Sequence, residues 1–325
     1  MHGTHVAGLD LPISQIALGT MTFGDTVNAA VAASLVDAAL DAGITVIDTA
    51  NVYSGGASEE ILAKLLPKRR DSILLASKAG MPHPDAGGHS PLSDSGLRRS
   101  VNGSLRRLGV ERIDLFYLHQ PDRATPLEET MGAIAELVRE GTIGAWGVSN
   151  FAAWQISELN HVADALGTPR PVVAQQLFNL VARRIEEEYL EFARTTGLLT
   201  MVYNPLGGGL LTGKHRFADV PTEGRFGNSK LAAMYKQRYW DPQLFAAIDS
   251  LAEIAGGAGI TLIELSLRWL MNRPDVGAIL LGASRLEQLQ SNIRAAEEGP
   301  LSADVVAACD DVGLTLRGPM AGYNR

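Results

Sequence analysis

Short apolar runs alternate with amphipathic stretches along almost the whole chain, and most of the amphipathic stretches stop at a glycine. The apolar runs are Ile16–Gly19, Thr45–Asp48, Ile73–Lys78, Ile113–His119, Ala145–Asn150, Val172–Gln175, Met201–Asn204 and Ala278–Gly282. Between them, apolar residues recur at helical spacing over Ala29–Ala42, Ser95–Leu108, Leu127–Glu140, Ala152–Leu166 and Glu186–Thr196. Gly43, Gly109, Gly141, Gly167 and Gly197 follow these five stretches, where a helix commonly ends on a left-handed residue. Strand, helix, glycine, strand is βαβ alternation, which requires a parallel sheet. Nearly continuous Val/Ile/Leu runs are what strands covered on both faces look like. Eight such runs predict an α/β fold, a single (β/α)8 TIM barrel spanning residues 1–325. Leu9–Ile13, ahead of the first run, is expected to form an N-terminal β-hairpin over the barrel floor.

Charge and cysteine content narrow the partners. Lys plus Arg number 28 and Asp plus Glu 36, a net charge of −8 with no basic stripe, so no nucleic-acid partner is expected. The single cysteine, Cys309, excludes an internal disulfide and suits a reducing compartment. No apolar stretch approaches the roughly 20 residues that span a bilayer, and Met1–His5 does not begin like a signal peptide. A cytoplasmic protein without a membrane partner is the expectation. Two connections exceed the others, residues 79–94 and residues 207–241, and both follow carboxyl ends of strands, where long barrel loops close over ligands.

The strand ends carry chemistry. Asp48, Lys78 and His119 close three consecutive runs, and Tyr53 follows the first of them. A tyrosine is a poor acid at neutral pH unless a cation lowers its pKa, and Lys78 is placed to be that cation. A buried lysine needs a counter-ion, which Asp48 can supply, and His119 can orient a carbonyl oxygen. The quartet therefore suits protonation of an oxyanion formed when hydride reaches a carbonyl carbon. On the later strands, Ser149, Asn150 and Gln175 offer groups able to hold a carboxamide, and Tyr203 a face on which a flat ring can stack. Beyond Asn204 and Leu206, the run Gly207-Gly208-Gly209 allows close backbone approach to a phosphate. Gly282 and Ser284 enter a later helix whose N-terminus is an anion site, with Arg285, Gln288 and Asn292 able to serve a ribose phosphate or adenine. Strand-end bonding to loops and a solvated helix face are the plain alternatives for these positions. The chain has no G-x-G-x-x-G fingerprint, no P-loop and no metal spacing among its seven histidines, so no metal site is expected.

Long stretches resemble the aldo-keto reductase superfamily, and within it the aflatoxin aldehyde reductase, or succinic semialdehyde reductase, family. They include Ile47-Asp-Thr-Ala50 with Val52-Tyr-Ser54, Asp114-Leu-Phe-Tyr-Leu-His119, Gly147-Val-Ser-Asn150, Tyr203-Asn-Pro-Leu-Gly-Gly-Gly-Leu-Leu-Thr-Gly-Lys214, Gly224-Arg-Phe-Gly-Asn228 and Leu286-Glu-Gln-Leu289. The resemblance implies a catalytic tetrad of Asp48, Tyr53, Lys78 and His119 with Tyr53 as general acid. It implies NADPH (NADP+) bound along the barrel top, with cofactor contacts at Ser149, Asn150, Gln175, Tyr203, Leu206, Gly208, Gln288 and Asn292, to which the residues themselves add Asn204, Gly282 and Ser284. It also implies a small-molecule aldehyde or ketone substrate, whose carboxylate Arg238 and Arg325 would receive, and it allows a homodimer. Departures fall at Lys230 and Asn324, where aromatic residues are expected, and across Met81–Ser93, which is longer than usual. Two other readings remain: an NADPH-binding regulatory subunit of low turnover, and a Schiff-base lyase using Lys78.

Overall fold

The structure is a computed structural model that describes residues 2–219 and 221–319. Two short strands, β1 (Gly3–Thr4) and β2 (Ile13–Ser14), pair antiparallel. Eight parallel strands then close into a barrel: β3 (Ile16–Gly19), β4 (Val46–Asp48), β5 (Leu74–Ala79), β6 (Ile113–Leu118), β7 (Ile143–Ser149), β8 (Val173–Leu177), β9 (Leu199–Tyr203) and β10 (Ala278–Leu281), with β10 pairing back to β3. The helices are α1 (Ala29–Asp41), α2 (Ala57–Ala63), α3 (Asp94–Leu108), α4 (Leu127–Glu140), α5 (Ala153–Leu166), α6 (Tyr189–Thr196), α7 (Ala232–Tyr239), α8 (Pro242–Gly257), α9 (Leu262–Met271), α10 (Leu286–Glu297) and α11 (Ala303–Arg317).

The five glycines expected to stop helices all sit at positive φ, between 61° and 77°. The N-terminal hairpin is present with different strands. Its pairing residues are Gly3–Thr4 and Ile13–Ser14, while Leu9 and Leu11 lie in the connection and pack against the barrel interior as a floor. The helix expected from Glu186 begins instead at Tyr189. Glu186 ends a 3-10 turn, and its carboxylate is taken by Arg183, Arg273 and Arg317. The connection 207–241 contains two 3-10 turns and α7.

Strand period sorts the side chains. Val46, Leu74, Ala76, Leu115, Tyr117, Ala145, Val173, Met201 and Ala278 fill the barrel interior. Their neighbours Ile47, Leu75, Phe116, Trp146, Ala174, Val202 and Ile279 face outward into the layer between sheet and helices. Because side chains alternate faces, counting up by two from the interior set brings Asp48, Lys78, His119, Ser149, Gln175, Tyr203 and Gly282 to the inward register near the carboxyl ends. The barrel mouth is therefore lined by the residues that the apolar strands lead into.

Two glycines of one helix unit should respond oppositely to the same substitution. Gly141, past the end of α4, has φ 76°, and a Cβ there would meet nothing within 4 Å, so Gly141→Ala should cost about 1–2 kcal/mol from backbone strain alone. Gly132, inside α4 and also in open space, should gain roughly 0.5–1 kcal/mol as Gly132→Ala. Urea denaturation of both variants measures the pair.

Candidate active site

Four ionisable groups meet at the barrel mouth. Asp48 ends β4, Lys78 lies one residue inside the end of β5, and His119 follows β6. Tyr53 reaches them from the Tyr53–Gly56 turn, in which Ser54 takes φ 51°. Lys78 is fully buried, and its ammonium donates to Asp48 Oδ1, to the Thr49 carbonyl at 2.9 Å and to the Tyr53 hydroxyl at 3.1 Å. All three of its donors are thus used. The second oxygen of Asp48 accepts from Gln175 Nε2 at 2.9 Å.

The electrostatics follow from that packing. Burial pushes the Lys78 pKa down, but Asp48 and Tyr53 outweigh it and hold the group above the usual lysine value. Tyr53 differs from the expectation of a depressed pKa. Burial raises it, and Lys78 offsets only part of that because Asp48 opposes Lys78. Tyr53 is therefore a protonated donor at neutral pH. Burial, and then the charge of Lys78, lowers the His119 pKa to about 3, so its imidazole is neutral. The His119 ring stands edge-on to Tyr53 with centroids 5.8 Å apart, and its buried Nδ1 has no hydrogen-bond partner among the described residues. A protonated hydroxyl backed by an ammonium, beside a neutral imidazole, can deliver a proton to an oxygen that is gaining negative charge.

The other expected positions line the same mouth unevenly. Asn150, left-handed at φ 62°, donates to Ser149 Oγ at 3.0 Å and to the His119 carbonyl at 2.9 Å, and its Oδ1 accepts from the Tyr203 hydroxyl at 2.6 Å. Gln175 is not at a strand end, because β8 continues to Leu177; it points inward and buttresses Asp48. Asn204, at φ 57°, accepts from the Tyr235 hydroxyl at 3.1 Å and Arg225 at 3.3 Å, so its side chain ties down the long loop. Leu206 leads into the 3-10 turn Gly207–Thr212. A Cβ on Gly208 would stand 2.6 Å from the Tyr235 ring, and one on Gly282 would stand 3.2 Å from Arg225 Nη2. The Ser284 amide donates to Gln288 Oε1 at 3.1 Å at the entry to α10. Asn292 is buried, and its Nδ2 has no partner among the described residues. Arg238 is exposed on α7, near enough for its charge to act on the Tyr203 hydroxyl, while Arg325 and Asn324 lie outside the described residues. The space beside Gly208 and Gly282 is taken by Tyr235 and Arg225, whereas the α10 N-terminus and the Asn292 amide, without a partner among the described residues, are donors that fit a dinucleotide.

The aldo/keto reductase family model matches residues 15–313. The chain belongs to the aldo/keto reductase family. It is 39% identical over 306 residues to aldo-keto reductase family 7 member A3 of Homo sapiens, an alignment covering 90% of this chain and 91% of that protein. It is 37% identical over 306 residues to aflatoxin B1 aldehyde reductase member 2 of Rattus norvegicus, covering 90% and 82%. It is also 33% identical over 301 residues to a probable voltage-gated potassium channel subunit beta of Oryza sativa, covering 90% of each. As an aldo/keto reductase the chain is an oxidoreductase of a family that works with nicotinamide dinucleotides.

Reading the sequence did not single out Arg225 for the site of this reductase. It is remote from the strand ends in sequence, yet its guanidinium bonds to the Tyr235 hydroxyl at 2.9 Å and reaches both Asn204 and Gly282. The sequence signals are its place in the long 207–241 loop and in the Gly224-Arg-Phe-Gly-Asn228 stretch that resembles the aldo-keto reductases. His119 supplies the test of the site's electrostatics. Folded His119 binds a proton far less readily than the unfolded residue near pKa 6.5, so its contribution to stability is whole above pH 6.5 and is lost as pH falls toward 3. Between pH 7 and pH 5 the wild type should lose about 2 kcal/mol more stability than His119→Gln, as read by chemical denaturation at the two pH values.

Proposed function

We propose that this aldo/keto reductase reduces aldehydes to alcohols with NADPH and that Tyr53 is its proton donor. One observation carries the reading: the Tyr53 hydroxyl, kept protonated by burial, accepts a hydrogen bond at 3.1 Å from an ammonium already neutralised by Asp48. When bound, NADPH would supply the hydride that adds to the carbonyl carbon. Ser149, Asn150, Gln175 and Tyr203 would meet its nicotinamide end, Leu206, Gly208, Gly282 and Ser284 its phosphates, and Gln288 and Asn292 its adenosine end. Arg225 and Arg285 favour the extra phosphate of NADPH over NADH through charge.

The chain's own residues then manage one proton. Neutral His119 holds the carbonyl oxygen in place by a hydrogen bond. Tyr53 gives its O–H proton to that oxygen as negative charge develops. Lys78 stabilises the tyrosinate left behind, and Asp48 keeps Lys78 charged and fixed, with Gln175 bracing Asp48. A lysine held as ammonium by Asp48 is a poor nucleophile, which weighs against Schiff-base chemistry at Lys78.

The substrate proposed is an aldehyde bearing a carboxylate, such as succinic semialdehyde. Support comes from Arg238, whose charge acts on the Tyr203 hydroxyl, while Tyr203 bonds onward to Asn150 beside His119. Arg325 is proposed to join it.

Tyr53→Phe should lose roughly 10²–10⁴-fold in the rate of NADPH oxidation with succinic semialdehyde while binding NADPH as before. Turnover at the wild-type rate in that variant would defeat the assignment. Tight NADPH binding by the wild type with no reduction of any aldehyde would favour a regulatory subunit instead. Arg238→Ala should raise KM for succinic semialdehyde about 10- to 100-fold, the worth of a charge-assisted bond, and leave uncharged 4-nitrobenzaldehyde within about twofold. Equal changes for both aldehydes would remove the carboxylate preference.

A further inference from the structure

Against the Tyr53 turn lies a chain of charges that the proposed reaction does not use. Glu59, in the first turn of α2, is fully buried. Its Oε1 accepts from the Ser77 hydroxyl at 2.6 Å, and its Oε2 accepts from Arg107 Nε at 2.8 Å. Ser77 is the residue before Lys78 in β5, so Glu59 is bound to the strand that carries the ammonium. The two terminal nitrogens of Arg107 fork onto Asp85 at 3.0 and 2.7 Å, and Asp85 lies in the long 79–94 connection beside His83. Two glycines make room for this assembly. A Cβ on Gly56, at φ 99°, would stand 2.8 Å from Arg107 Cδ, and a Cβ on Gly103 would collide with the Asp85 carboxylate.

Gly56 is the last residue of the Tyr53 turn, and Arg107 lies flat against it. That turn needs holding, since Ser54, Gly55 and Gly56 all take left-handed conformations and Ser54 does so without a glycine's freedom. We propose that Arg107 is a positioning residue: clamped between Glu59 and Asp85, it fixes the Tyr53 turn relative to Lys78. The proposal rests on the reading of Tyr53 as proton donor. A buried carboxylate with one cation cannot give up that cation without leaving an unpaired charge, so the clamp has one geometry. That geometry sets the Tyr53–Lys78 hydrogen bond.

The test compares Arg107→Met, Arg107→Lys and Asp85→Asn as NADPH-loaded enzymes, with turnover of succinic semialdehyde expressed per chain that binds NADPH. Loss of folded protein lowers the number of binding chains, whereas misplacement of Tyr53 lowers turnover per binding chain. Arg107→Met should fall roughly 10- to 100-fold in kcat per binding chain, with KM and the NADPH Kd within about threefold of wild type. Arg107→Lys, which keeps a cation for Glu59 but loses the fork, should recover part of that loss, and Asp85→Asn should show a smaller one. Wild-type kcat per binding chain in Arg107→Met overturns the proposal. If that variant does not fold, wild-type values in both Arg107→Lys and Asp85→Asn overturn it equally. Tyr53→Phe is run alongside: if it retains turnover, the reading of Tyr53 itself has failed, whatever the Arg107 variants do.

Discussion

A fully buried ammonium is the constraint on which the site depends. Removing Lys78 from water costs several kcal/mol, and the loss is repaid only by close partners with good geometry. Its three protons therefore need three acceptors, and the barrel delivers them as Asp48, the Thr49 carbonyl and the Tyr53 hydroxyl. Each acceptor must in turn be held. Gln175 holds Asp48 from across the barrel. Thr49 sits in the β4 exit, its hydroxyl against Ser58 at 2.9 Å. The Tyr53 turn is covered by Arg107. One buried charge thus organises β4, β5, β8 and α2 around a single hydroxyl.

The two long connections over the mouth are built on different physics. Residues 79–94 are pinned by charge and hydrogen bonds at both ends. Asp85 is forked by Arg107, and Asp122 accepts from the Ser90 hydroxyl, the Leu92 amide and the Thr125 hydroxyl. Residues 207–241 are held largely by aromatic contact. Phe226 lies between Tyr235, His215 and Trp240, and Trp240 packs on Phe245. Directional bonds make the first segment a fixed wall. The second buries its rings against one another and carries Arg225 and Arg238 over the opening.

Much of this was legible in the residues. Apolar runs of strand length, glycines after helical stretches and polar strand ends led directly to the eight-stranded barrel and to a mouth bearing Asp48, Lys78 and His119. The errors were local and have local causes. The hairpin strands lie at Gly3–Thr4 and Ile13–Ser14 because apolar Leu9 and Leu11 are consumed as a floor under the barrel. Gln175 lies inside β8 and not at its end, since nothing in Gln175-Gln176-Leu177 marks where pairing stops and the ladder with β9 runs on through Leu177 and Tyr203.

What the sequence by itself determined is which side chains share the mouth. Alternation has a period of two, so once one apolar residue of a strand faces inward, the face of every other residue in it follows. What only the tertiary structure decided is how those side chains behave. Asp48 meets Gln175 from 127 positions away, and Arg107 meets Gly56 and Glu59 across α2 and α3. No short-range pattern encodes such pairings. The direction of the Tyr53 pKa follows the same rule: Lys78 pulls it down, but burial pushes it up further, and desolvation belongs to the closed barrel as a whole.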